Sequence, residues 1–207
     1  MTAASRCPRC LALLRPPGLM SSDWVCPTHG AVHPFWTLHA CDEALTLLSA
    51  AAQVPLWVPL PLLPGWSVTG LARAGDERTG ARATVMALAG PSPLGGPADL
   101  LLIAEEPGLG LGARFAGHGS PEPGDCTSGP PDAKVEAAGH PTALWRCGAA
   151  PDRAAFVGEA SGVWLWAVLW PAEAELILLE HVELHDLRHD VHAGERLPIG
   201  APSPHLH

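Results

Sequence analysis

Val163-Trp164-Leu165-Trp166-Ala167-Val168-Leu169-Trp170 is the stretch on which the fold class turns. Its eight residues are all apolar, but a helix needs roughly 20 to cross a bilayer, so the run reads as a strand of a folded interior. Side chains alternate along a strand, which puts Trp164, Trp166, Val168 and Trp170 on one face. Upstream, residues 154–159, 142–147, 134–138, 99–105, 81–89 and 66–72 read as further short strands. Gly75-Asp76-Glu77-Arg78-Thr79-Gly80 is a turn between two of them, and residues 118–131 form a long Gly/Pro loop. Short strands joined by turns favour antiparallel pairing over βαβ crossovers.

Residues 42–53 read as a short helix, with Asp42 as N-cap and Leu45, Leu48 and Ala52 at helical spacing. Pro55, Pro59, Pro61 and Pro64 then force an extended connector. After Pro171, residues 172–188 read either as a strand entering a helix or as one helix, and the chain from residue 193 as a tail. No internal repeat at a fixed period is evident.

The 207 residues include 22 Gly and 23 Pro, and 47% are hydrophobic. A disordered chain would be poorer in apolar residues and a collagen would show a strict glycine period, so the chain reads as folded and loop-rich. The net charge of −9, with Lys134 the single lysine, argues against wholesale contact with a nucleic-acid backbone. Arg6, Arg9 and Arg15 against Asp23 are a local exception. The first fifteen residues lack the pattern of a secretory signal and no apolar run spans a membrane, so the expected location is the cytoplasm, with thiols reduced.

Cys7-Pro8-Arg9-Cys10 and Cys26-Pro27-Thr28-His29-Gly30 form C-x2-C-x15-C-x2-H. Zinc takes four tetrahedral N or S ligands, and two tight turns supply two each. Cys7, Cys10, Cys26 and His29 are the predicted ligands of a structural zinc, because they leave no coordination position open; His33 fits the second half-site less well than His29. The segment resembles the zinc-ribbon family over about 30 residues. That resemblance implies a small β-ribbon of the kind used for protein or nucleic-acid contacts. The family's usual glycine after the first knuckle is Leu11 here, and its fourth ligand is His rather than Cys. Cys41, Cys126 and Cys147 are left over and read as free thiols.

Leu63-Pro64-Gly65-Trp66-Ser67-Val68-Thr69-Gly70, Gly75-Asp76-Glu77-Arg78, Gly95-Gly96-Pro97, Glu105-Glu106-Pro107-Gly108 and the Trp164–Trp170 run make the whole chain look like an uncharacterised actinobacterial family. That likeness brings no activity to carry over. More loosely, Gly139-His140-Pro141, Leu144-Trp145 and then the Trp run are similar to bacterial half-barrel sheets that hold apolar ligands.

The expected fold is therefore α+β and β-dominated, with a mostly antiparallel sheet and one or two helices. Its parts are a zinc-ribbon module (1–40), a short helix and Pro-rich connector (41–64), a Trp-rich antiparallel β domain (65–192) and a tail (193–207). Trp145, Trp164, Trp166 and Trp170 line either the core or a ligand pocket; with no Tyr and three Phe, Trp carries most aromatic packing. His181, His185, His189 and His192 form either a metal-binding helical face or the solvated side of a strand with Val182 and Leu184 inward. Gly108-Leu109-Gly110-Leu111-Gly112 reads as a glycine bend rather than a phosphate loop. The favoured function is a non-catalytic binding or regulatory module for a partner protein or small apolar ligand. The alternative is an enzyme acting on a small molecule in a Trp-lined cleft through Glu105, Glu106, Glu159 or His140.

Overall fold

The computed structural model describes residues 5–19, 21–189 and 197–206. It is an α+β protein dominated by strands, most of them in one curled sheet. A two-stranded ribbon, β1 (Val25–Cys26) and β2 (Gly30–Ala31), precedes β3 (Phe35–Leu38) and helix α1 (Asp42–Ala51). The strands β4 (Trp57–Pro59), β5 (Ser67–Asp76), β6 (Gly80–Pro91) and β7 (Pro97–Glu105) lead to α2 (Leu111–Ala116). Then come β8 (Ala133–Ala137), β9 (His140–Cys147), β10 (Ala154–Ala160), β11 (Val163–Trp170) and β12 (Glu183–Asp186). The large sheet runs β3-β5-β6-β7-β11-β10-β9-β8-β12-β4. Among the described residues its pairings are antiparallel except β8 with β12.

The tight turns follow from backbone preference. Ser161-Gly162 and Ala138-Gly139 both hold positive φ and close two-residue hairpins whose twist matches the flanking strands. Both sheet faces are buried, which is why Leu100 to Ala104 reads as a continuous apolar run rather than alternating. On the inner face Leu100, Leu102, Leu144, Leu165 and Leu169 pack with Trp57, Met86 and Leu184. On the outer face Val85, Leu101, Ile103, Val157, Trp166, Val168 and Trp170 pack with Leu111 and Phe115 of α2.

The sheet curls far enough that the chain entering β4 crosses back to β6. Gln53 N donates to the Ala81 carbonyl at 2.9 Å, and Thr84 Oγ1 donates to the Pro55 carbonyl at 2.5 Å. Side chains fill the enclosed interior: the space left among Leu63, Leu100, Leu102, Leu144 and Leu184 is about 10 Å³, no more than one water needs. The C-terminal residues 197–206 are docked along β5. Val68 N donates to the Pro198 carbonyl, Gly200 N to that of Val68, and His205 stacks on Trp170 with ring centroids 4.3 Å apart.

Four sequence expectations change, the first being that Cys41 rather than Asp42 caps α1, its Sγ accepting from Ala44 N at 3.4 Å. Residues 172–188 form neither alternative: a 3-10 helix, Ala172–Leu179, leads into the strand β12. The glycine bend at 108–112 opens the short helix α2, because Gly110 takes a left-handed φ of 80° and the Glu105 side chain caps the first turn. Cys126 and Cys147 are not free thiols but a disulfide, the loop before β8 bringing their Cα atoms to 5.3 Å. No helix of the described residues is long and apolar enough to cross a membrane.

Candidate metal centre

Two local devices build the site. At the first, the backbone turns through Pro8 and Arg9, with Leu11 N donating to the Cys7 carbonyl and Cys7 N to the Ala12 carbonyl, both at 2.9 Å. Leu11 closes this knuckle with φ 60°, the left-handed conformation that explains why glycine is usual there. At the second, β1 and β2 pair as a tight hairpin with Cys26 opposite Gly30, and His29 stands on the turn between them.

The hairpin returns the chain so that the ligand atoms of Cys7, Cys10, Cys26 and His29 all lie within 4.8 Å of one another. The Cys10 and Cys26 sulfurs are 3.7 Å apart; His29 Nδ1 is 3.5 Å from Cys7 Sγ and 3.6 Å from Cys26 Sγ. A tetrahedron with metal–sulfur bonds of about 2.3 Å and metal–nitrogen bonds of about 2.0 Å has edges of about 3.8 and 3.5 Å, so the donor set can hold a zinc-sized ion.

Cys7 and Cys26 are buried, Cys10 is exposed and His29 is half-buried. Burial pushes the Cys7 thiol up to about 11. Burial opposes ionisation at Cys26 as well. The N–H groups of Thr28 and His29, helped by the His29 ring and Cys7, outweigh it and bring that thiol down to about 6.

The knuckle is clamped to the outer sheet face. Arg9, between two ligands, donates through Nε to the Leu109 carbonyl at 3.0 Å and through Nη2 to the Gly108 carbonyl. From the other side Arg114 of α2 donates through Nε to the Pro8 carbonyl at 2.8 Å, its guanidinium lying over the rings of Phe35 and Phe115. Burial lowers Arg114 to about 10, and the nearby Cys7, Cys10 and Glu105 oppose that fall. The guanidinium therefore sits where three thiolates would leave negative charge around a divalent ion.

His33 lies outside the cluster, with burial and Arg82 holding its pKa below the usual histidine value. Trp166 is fully buried, with its ring against Gly112, and Trp170 is 5% exposed. Trp164 and Trp145 are half-buried, their Nε1 atoms donating to Glu122 Oε2 (2.8 Å) and the Gly129 carbonyl (3.0 Å).

Glu105 is buried behind α2, Glu106 pairs with Arg82, and Glu159 and His140 are exposed; Glu159 is in register with Trp164, and Trp164 with Glu105. Glu122, inside the Gly/Pro loop, accepts from Trp164 Nε1, its charge disfavours ionisation of Glu105, and no sequence pattern marks it. His181, His185 and His189 lie on and around β12 and pair with Glu136, Glu183 and Asp186 rather than with one another; His192 lies outside the described residues. Val182 and Leu184 point inward, as the strand reading has it.

What the fold and site define is a β-dominated protein whose curled sheet carries, clamped to it, a Cys3His cluster that could hold a metal ion. Residues 1–206 match the family of unknown function DUF6758, and the chain belongs to that family. Comparison with curated proteins and with solved structures gave no match.

Proposed function

We propose that this chain is a non-catalytic binding or regulatory module whose Cys7, Cys10, Cys26 and His29 hold a structural zinc. The carrying observation is the closed donor set: three sulfurs and one nitrogen at tetrahedral spacing leave no position for substrate. Soft thiolates with one imidazole favour zinc over calcium or magnesium, which prefer oxygen. The ion's role is to hold the knuckle against α2, since a segment this small has little core of its own.

Metal analysis of purified protein is expected to return one zinc per chain, lost in Cys7→Ser and Cys26→Ser. A metal-free preparation that keeps the native amide spectrum would overturn the structural role.

Thiolate ligands also support a reducing compartment, the cytoplasm, while the Cys126–Cys147 bond pulls the other way. Alkylating the protein as cells are opened separates the two. Both cysteines modified fits the cytoplasm; a protected pair places the chain in an oxidising space.

A further inference from the structure

A cleft lies apart from the Cys3His cluster, where the ribbon meets the sheet edge. It measures about 550 Å³, within the usual size of small-molecule sites, and sits at a junction of two structural units, where such sites concentrate. Trp24 and Pro17 line one wall, and Trp36 of β3 with Arg73 of β5 the other. Trp36 and Arg73 are register partners, so their side chains leave the sheet together.

The polar groups of this lining are mostly engaged. Trp24 Nε1 donates to Asp76 Oδ2 at 3.1 Å and Trp36 Nε1 to the Gly75 carbonyl at 3.0 Å, so the two indoles offer ring surface rather than donors. They meet edge to face, with centroids 6.1 Å apart. Asp76 also accepts from the N–H groups of Arg78 and Thr79, and Asp23 lies 3.6 Å from Arg78. Glu77 is exposed at the mouth. Arg73 differs: its Nε is buried and has no hydrogen-bond partner among the described residues. A guanidinium with one N–H lacking an acceptor, beside two indole rings, favours a flat ring that carries an anion. The ring stacks on indole, and the carboxylate or phosphate takes the planar fork.

The geometry points to this cleft as a binding site for a planar aromatic molecule bearing one carboxylate or phosphate, held by Trp24, Trp36 and Arg73. The assignment rests on the binding-module reading and names its ligand class. The full, zinc-loaded chain is titrated by calorimetry with adenosine monophosphate and with naphthoate, which separate a nucleotide source from an aromatic acid. Adenosine alone and inorganic phosphate alone serve as the two halves.

At least one ring-plus-anion probe is expected to bind and to move the indole N–H resonances of Trp24 and Trp36 but not that of Trp145. Each half should bind at least about tenfold more weakly, and Arg73→Gln should weaken the intact probe by about tenfold. Trp36→Leu should weaken it as well, and Trp164→Leu should not. The indole shifts are read on the wild-type protein, so they decide even if a variant fails to fold. Binding of neither probe, shifts confined to other indoles, or equal binding by one half or by folded Arg73→Gln would overturn the site and leave the structural-zinc reading intact. Conversion of the bound probe to product would overturn the non-catalytic reading and leave the site standing.

Discussion

Glu105 has both carboxylate oxygens on backbone donors, Leu111 N at 2.6 Å and Gly112 N at 3.1 Å, and no exposed surface. Burial raises its pKa from the ordinary 4.5 to about 7; the two N–H bonds oppose that rise and the Glu122 charge adds to it. The folded state therefore binds this proton more tightly than the unfolded chain. The favourable contribution is complete below 4.5 and is lost as pH rises towards 7, on the order of a few kcal/mol. Denaturant titrations of wild type are expected to show stability falling across that window, and Glu105→Gln to remove the slope. Next to it, a Cβ on Gly112 would lie 2.2 Å from the Trp166 ring. Gly112→Ala should cost about 3 kcal/mol in the same measurement, because neither the buried indole nor the helix has room to retreat.

At the scale of elements, α2 and the first knuckle depend on each other. Arg114 reaches out of the helix to Pro8, and Arg9 reaches from the knuckle to the carbonyls just before the helix. Chelating the proposed zinc should therefore raise hydrogen exchange at the amides of residues 111–116 as well as in the ribbon. Arg9→Ala should produce the α2 effect while zinc is retained, since Arg9 supplies no ligand atom.

The same elements show what a sequence carries. Residues 163–170 are legible because alternation and flanking turns are local properties, and the Cys3His set because each half-site spans four residues. Strand β3 and strand β4 are not, since a strand of three or four residues is stabilised by partners more than thirty residues away. Helix α2 depends on a cap from Glu105 and a fit to Trp166, neither visible as a helical pattern. Trp24, Trp36 and Arg73 meet only because the ribbon folds back on the sheet edge.

For the molecule as a whole, closure has two fastenings besides packing. One is the Cys126–Cys147 bond, which ties the loop beside Trp164 to β9 across a sequence separation of 21. A closed loop of that length is worth about 3 kcal/mol, so Cys126→Ser should lower stability by about that much in oxidising buffer and leave it unchanged under reductant, as read by denaturant midpoints.

The other is the cover on the sheet's first edge. Phe35 N donates to the Arg6 carbonyl at 2.8 Å, so the knuckle occupies part of the outer side of β3. Phe35-Trp36-Thr37-Leu38 is uncharged and rich in strand-forming residues, the kind of edge that recruits another chain when bare. Stripping the proposed zinc should thus do more than loosen one end of the protein. It turns a capped border into a template for self-association, and light scattering is expected to rise with protein concentration in chelator, at temperatures where the rest of the sheet remains folded.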